Sequence, residues 1–306
     1  AEADTRVELR DIEIDGLYGR TVLGVSVHAP DGEVHNVRSD HLEAREQLEA
    51  VRLAPQSRVL LSGLSVVRRF QATDMATQLQ GAADELAAAA DGSDYTWLLP
   101  PGRHDFDRGW DFGAERVSLH LRGPQGSGEP AHWRFGHDAP VDGDLTALAL
   151  VGQRLSVDGL VLEARCSGDL KAVRLDARRE ANADDLRLNQ LHAAAVTGIE
   201  VTAPRVGLTD VAVAEVRATT GAARGIVARA DELLLRRLMV EGVRAREAAL
   251  GIDGRAREQC SASSLHAQDV SGSHACGIEL RVSAAEAPLA LLDLDDSIGL
   301  DTGWLG

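Results

Sequence analysis

Apolar positions recur along this chain in two interlocked patterns. The first is a Gly-Ile unit: Thr197-Gly198-Ile199-Glu200, Arg224-Gly225-Ile226-Val227, Leu250-Gly251-Ile252-Asp253 and Cys276-Gly277-Ile278-Glu279. Its isoleucines are spaced by 27, 26 and 26 residues, and Val173 holds the same place 26 residues before Ile199. The position two before each glycine is always small and apolar (Val196, Ala223, Ala249, Ala275). The second pattern is apolar-x-apolar-x-x-apolar-x-apolar. It reads Leu155, Val157, Leu160, Leu162, then Leu186, Leu188, Leu191, Ala193, then Val206, Leu208, Val211, Val213. Leu233, Leu235, Leu238, Val240 and Cys260, Ala262, Leu265, Ala267 continue it, and a weak copy starts at Leu289.

Alternate residues of a strand share a face, so the first two apolar positions of this unit point one way. The three-residue step to the next apolar position breaks that period and would turn the later pair outward on a flat strand. A bend restores a common interior, with the corners at Asp158-Gly159, Asn189-Gln190, Thr209-Asp210, Arg236-Arg237 and Ser263-Ser264. Stacking such coils pairs each strand with counterparts about 4.8 Å above and below. No coil buries its apolar side alone, so several must follow one another. A doubly wound sheet would need a helix in every repeat, for which 26 residues holding two strands leave little length. The expected fold is all-β, a right-handed parallel β-helix with coils of about 26 residues.

Residues 71–92 break the strand pattern, with a helix expected at about 73–90. Met75, Leu79, Ala82, Leu86 and Ala90 fall at helical spacing, with Thr73 as N-cap and Asp91-Gly92 as stop. An N-terminal α-helical cap is expected here, running into the strand Tyr95–Leu99 and the turn Pro100-Pro101-Gly102. Residues 71–306 are then a capped β-helix. Residues 1–70 form a short β-rich segment that reads either as extra coils or as a small β attachment domain. Val7, Leu9, Ile12, Ile14 and Val59, Leu61, Leu64, Val66 carry the two-strand pattern 52 residues apart, with a poor copy from Gly32 to Ser39 between them. An uncapped start exposes strand edges, so other protein subunits or the continuation of a longer polypeptide are expected as partners, in an oligomer or assembly.

The formal net charge is −16, from 48 acidic and 32 basic side chains. Such a surface repels a phosphate backbone, so no nucleic-acid partner is expected. No apolar run reaches the length of a membrane span. Cys166, Cys260 and Cys276 lack metal-ligand spacing and read as small buried apolar residues.

The Gly-Ile turns, the two-strand coil and the helix–strand–Pro-Gly entry resemble the pectate-lyase-like superfamily of right-handed β-helices over about residues 73–300. That resemblance implies a scaffold shared by enzymes of acidic polysaccharides and by structural or adhesive parts of tails and surface assemblies. Fold does not choose among these. The signatures of its polygalacturonases, pectate lyases and alginate epimerases are missing. Asp184-Asp185 is the aspartate pair to test against the first, and Lys171, the only lysine, is the sole candidate for a lysine base.

Candidate chemistry lies on outward rows. Glu200, Val227, Asp253 and Glu279 form one, and Thr202, Arg229, Arg255 and Arg281 another. Arg229, Arg255, Arg281, Glu200 and Glu279 make either a charge lattice or a binding face on which arginine forks grip carboxylates. His192 and His266 take the same outward place in two coils, and His266 with Asp253 is the candidate acid–base pair if the chain is catalytic. Trp97, Trp110 and Trp133 form an aromatic patch that either stacks on sugars or seals the solenoid's end. Asp105 and Asp107 could hold a cation. No metal or cofactor is expected, calcium entering only with lyase chemistry. The functional expectation is a structural or adhesive β-helix of an extracellular or surface assembly, non-catalytic, with acidic polysaccharide as a candidate ligand. The competing expectation is a polysaccharide lyase or hydrolase acting on uronate chains.

Overall fold

The computed structural model describes residues 64–89, 91–124 and 128–282 in full, and the backbone alone of strands within 6–62 and 291–301. The chain is a parallel β-solenoid of about eight turns. Long strands such as Leu145–Arg165, Asp169–Ala193, Ala223–Arg244 and Ala248–Gln268 wrap around most of a coil, and all pairing is parallel. Each coil has three straight stretches, here called the first, second and third walls.

The Gly-Ile positions stack as the spacing requires. On the first wall Trp110, Leu148, Val173, Ile199, Ile226, Ile252 and Ile278 are successive partners in register. Leu148 through Ile252 are fully buried. The second wall stacks Tyr95, Leu119, Leu155, Ala181, Val206, Leu233 and Cys260. The third stacks Trp133, Leu162, Leu188, Val213, Val240 and Ala267.

The bend between second and third walls falls on Gly159, Asp185, Asp210, Arg237 and Ser264, all left-handed with φ between 42° and 66°. Four of these are the second corner residues expected from the sequence. The exception lies in the coil that follows Asp169, where Ala181, Ala183, Leu186 and Leu188 form the unit and Asp184-Asp185 the corner. Asn189-Gln190 lies one bend later, at a second corner shared with Glu215, Gly242 and Asp269. The apolar-x-apolar-x-x-apolar-x-apolar spacing occurs at both bends, and two alanines masked the earlier one. The same slip separates the two histidines. His192 pairs with Arg165 and Arg217, whereas His266 pairs with Met239.

The N-terminal backbone strands join the same stack. Val7, Gly32 and Val59 are in register, as are Ile14, Ser39 and Val66, and Val66 pairs onward with Tyr95. Here the second half of the sequence unit, not the first, continues the second wall. At the other end Cys260 pairs with Leu292, while Leu289 itself lies outside the described residues.

The helix Met75–Ala87 occupies the span between the second-wall strands Ser65–Arg69 and Asp94–Leu98, where other coils place third- and first-wall strands. Met75, Leu79, Ala82 and Leu86 form its buried face, as the spacing requires. Thr73 is not its cap. Asp74 holds the N-cap position in a left-handed conformation without a side-chain bond, and Gln78 instead ties the entry. Its amide donates to the carbonyls of Thr73 (2.6 Å) and Gln71 (3.2 Å) and accepts from the Gln71 N–H. Arg68 pins the helix to the sheet through Glu85 at 3.2 Å, with both side chains nearly excluded from solvent. Phe70, Trp97, Phe112 and Trp110 form a chain of ring contacts beside it, and Phe106 links Trp110 to Trp133 and Phe135.

Two packing devices keep coils interchangeable. The Gly-Ile glycines are required by their neighbours, not by a special φ. A Cβ at Gly198 would stand 2.5 Å from the Gly225 carbonyl oxygen, and one at Gly225 would stand 2.6 Å from that of Gly251 and from Val240 Cγ1. Volume is also traded between walls. The coil with Leu175 on its first wall carries Ala181 and Ala183 on its second, whereas the coil with Ala228 carries Leu233 and Leu235. Gly225→Ala is therefore expected to lower stability by about 1–3 kcal/mol through overpacking. Gly113→Ala, where the nearest atom to the added Cβ is 3.8 Å away, should stay within about 0.5 kcal/mol. Urea unfolding of the two variants checks the contrast.

Candidate functional site

The outward rows predicted on the first wall exist and are in register: Glu200, Val227, Asp253 and Glu279, with Thr202, Arg229, Arg255 and Arg281 two residues on. A stack of arginines about 4.8 Å apart would repel itself. Each is answered by a carboxylate. Arg255 forks onto both oxygens of Asp253 in its own strand at 3.0 and 3.2 Å, and Arg281 turns two nitrogens onto one oxygen, Oε1, of Glu279. Arg229 reaches back one coil to Glu200 at 3.6 Å, and Glu200 also accepts from Lys171 at 2.6 Å. Burial alone would raise the Glu200 carboxyl. The Lys171 hydrogen bond and the charges of Lys171, Arg229 and Arg174 outweigh it and hold Glu200 below the usual carboxylate range. Asp253 is 4% exposed beneath its arginine, so it is a buried anion locked in a fork.

The corner between the first and second walls carries a further series of arginines. Arg116, Arg154, Arg178, Arg179, Arg205 and Arg257 fall along it, in every coil of that stretch except the one that turns at Ala230-Asp231-Glu232, on links whose lengths vary and whose spacing therefore hides them in sequence. Two grooves open there. One, of about 430 Å³, is lined by Arg229, Arg255, Arg257 and Asp231 over a floor that includes Thr202 and Pro204. Asp231 stands 3.6 Å from Arg257. The other, of about 500 Å³, is lined by Arg116, Arg154, Arg178, Arg179, Asp91 and Asp94, with Ser118 and Gln153. Arg116 binds Asp91 at 2.5 Å and Arg178 binds Glu115. Arg154 and Arg179 make no ion pair among the described residues, so two guanidiniums face this groove uncompensated. Such forks suit carboxylate, sulfate or phosphate oxygens.

The remaining candidates separate. Asp253 lies on the first wall, but His266 lies on the third, where its Nε2 stands 3.0 Å from Gln268 Oε1. The fold does not bring them into one site. Burial and the charges of Arg165 and Arg217 push the His192 imidazole below its ordinary value. Trp97, Trp110 and Trp133 form no surface patch: each is at most 4% exposed, inside the core next to the helix, and cannot stack on a sugar. Asp105 is paired with Arg134, whose Nη2 donates to Oδ2 at 2.7 Å while Nε stands 2.7 Å from Oδ1. Asp105 and Asp107 line a groove with Asp138 and Asp142, but no group of side chains among the described residues has metal-holding geometry. Desolvation, followed by the charge of Asp158, raises the Asp184 carboxyl at its corner. Cys166 and Cys260 are buried, and burial pushes the Cys260 thiol up to about 11, whereas Cys276 is exposed in the last coil described in full. No helix among the described residues is long and apolar enough to cross a membrane.

The two forked arginines differ in what their removal leaves behind. Arg255→Ser strands the buried Asp253 carboxylate and should cost about 1–3 kcal/mol. Arg281→Ser leaves a Glu279 that reaches water and should cost about 0–1 kcal/mol. Chemical denaturation of the two single variants measures the difference, and equal losses would contradict the buried fork.

Comparison with family models, with curated proteins and with solved structures finds no match for this chain.

Proposed function

We propose that this chain is a structural and adhesive β-helix of an extracellular or surface assembly, related in architecture to the pectate-lyase-like solenoids, and that its arginine edge holds an acidic polysaccharide. The observation that carries this reading is the pair of uncompensated guanidiniums, Arg154 and Arg179, in a polar groove of a chain whose net charge is −16. Coils repeat about every 4.8 Å along that edge, a spacing that lets an extended anionic chain meet arginines from several coils. The aromatic residues of the described region are spent on the core, so recognition falls to charge and hydrogen bonding. The other role, a lyase or hydrolase cutting uronate chains with His266 and Asp253, is disfavoured by their placement on different walls and by the Arg255 fork on Asp253.

Immobilised uronate polymers, presented with and without calcium, test the reading. Retention should weaken as salt rises, because screening shortens the reach of the arginine charges. It should fall at least tenfold in the double variant Arg154→Ser/Arg179→Ser, and no new unsaturated or reducing ends should form. Retention indifferent to that substitution, or new chain ends absorbing in the ultraviolet, would overturn it.

A further inference from the structure

Beside the Arg154 groove the second wall carries three polar side chains in a line. His120 is in register with Ser156 one coil on, and Asp94 enters from the preceding coil, where it pairs with Ser118. The His120 Nδ1 lies 2.7 Å from Ser156 Oγ, and its Nε2 lies 3.3 Å from Asp94 Oδ1. With the proton on Nε2, the ring nitrogen nearer the Asp94 carboxylate, the free Nδ1 is placed to take the proton of the Ser156 hydroxyl. His120 is about one quarter exposed and Asp94 about one half, so the line is open to a ligand yet held by the sheet. Asp94 and Arg154 also line the groove, and Arg154 sits two residues before Ser156 on the same outward row.

We infer that Ser156, His120 and Asp94 form a hydrolytic site for esters that carry a neighbouring negative charge, such as acyl groups on an acidic polymer. This goes beyond an adhesive role and does not cut the polymer chain. The role of nucleophile, general base and orienting carboxylate depends on geometry, not on position in a sequence. Ser156 Oγ attacks the ester carbonyl carbon as its proton passes to His120, giving a tetrahedral oxyanion. Collapse breaks the bond to the alkoxy oxygen, which leaves as the alcohol with the proton from His120. Water then attacks the acyl-serine, again losing a proton to His120, and the carboxylic acid departs as Ser156 regains its hydrogen. Arg154, two residues before Ser156 on the same strand face, is the nearest arginine in sequence to offer positive charge to that oxyanion. Ser156 and His120 are the catalytic residues, and Asp94 is a positioning residue.

Two measurements on the intact chain decide this. An alkyl fluorophosphonate, from which a nucleophilic serine displaces fluoride, should label Ser156 in preference to every other serine, as read by peptide mass spectrometry. Labelling should fall at least tenfold in His120→Gln, with circular dichroism confirming that the variant is folded. Hydrolysis of mono-p-nitrophenyl succinate should be lost in Ser156→Ala and should show a lower kcat with unchanged KM in Asp94→Asn. Arg154→Ser should lower kcat for this ester and for p-nitrophenyl acetate alike, and should raise KM only for the anionic one. Uniform slow labelling across serines, or labelling unchanged in folded His120→Gln, would overturn the inference. Because these probes are small, they report on the site whether or not the edge retains a polysaccharide.

Discussion

Every parallel strand of this chain finds its partner one coil away, about 4.8 Å along the axis, and that pairing forces successive coils to share one cross-section. A side chain is therefore chosen against the residues 26 or so places before and after it more than against its sequence neighbours. The first-wall column from Leu148 to Ile252 obeys this directly, all apolar and all sealed from water. The glycines before Ile199, Ile226 and Ile252 follow from the same constraint, because a Cβ there would collide with the next coil's carbonyl. So does the trade between Leu175 with Ala181 and Ala228 with Leu233, which holds the lumen's volume steady as individual residues change.

On the outside the same stacking becomes an electrostatic problem. Columns of arginine or of acid repel unless charges alternate across or along them. The first wall solves it locally, with Arg255 on Asp253, Arg281 on Glu279 and Glu200 shared between Lys171 and Arg229. At the first corner the solution is incomplete: Arg205 finds Glu232 at 3.3 Å, whereas Arg154 and Arg179 find none among the described residues. An incompletely neutralised edge on an acidic rod, bordering the Ser156–His120 contact, is where the fold leaves chemistry available.

Much of the architecture was legible because buried columns repeat with the coil. Ile199, Ile226, Ile252 and Ile278 need no structure to be aligned, and the corner glycine and aspartate positions follow from a broken period of two. Two bends of each coil have identical spacing, and sequence alone does not tell them apart. Ala181 and Ala183 are too small to announce a strand beside Leu186 and Leu188, so the sequence pattern groups the third wall into the two-strand unit and aligns His192 with His266, which the register separates. Thr73 is not the cap because the first helical bond runs from the Gln78 N–H to the Asp74 carbonyl, one residue further on. The outward rows of Arg229, Arg255 and Arg281 were visible, since they ride on the isoleucine repeat. The corner arginines and the Asp94–His120–Ser156 line were not. They join links and coils of unequal length, with His120 and Ser156 36 residues apart rather than 26, and only the register reveals them.

The account stands on residues one coil apart sharing a column. A double-mutant cycle on Ile226→Ala and Ile252→Ala measures that contact in free energy. The stacked fold predicts a coupling of about 0.5–3 kcal/mol, as for residues packed against one another. Losses that simply add, as they do for sites with no shared partner, would show that these isoleucines do not touch and that the coils are not stacked in this register.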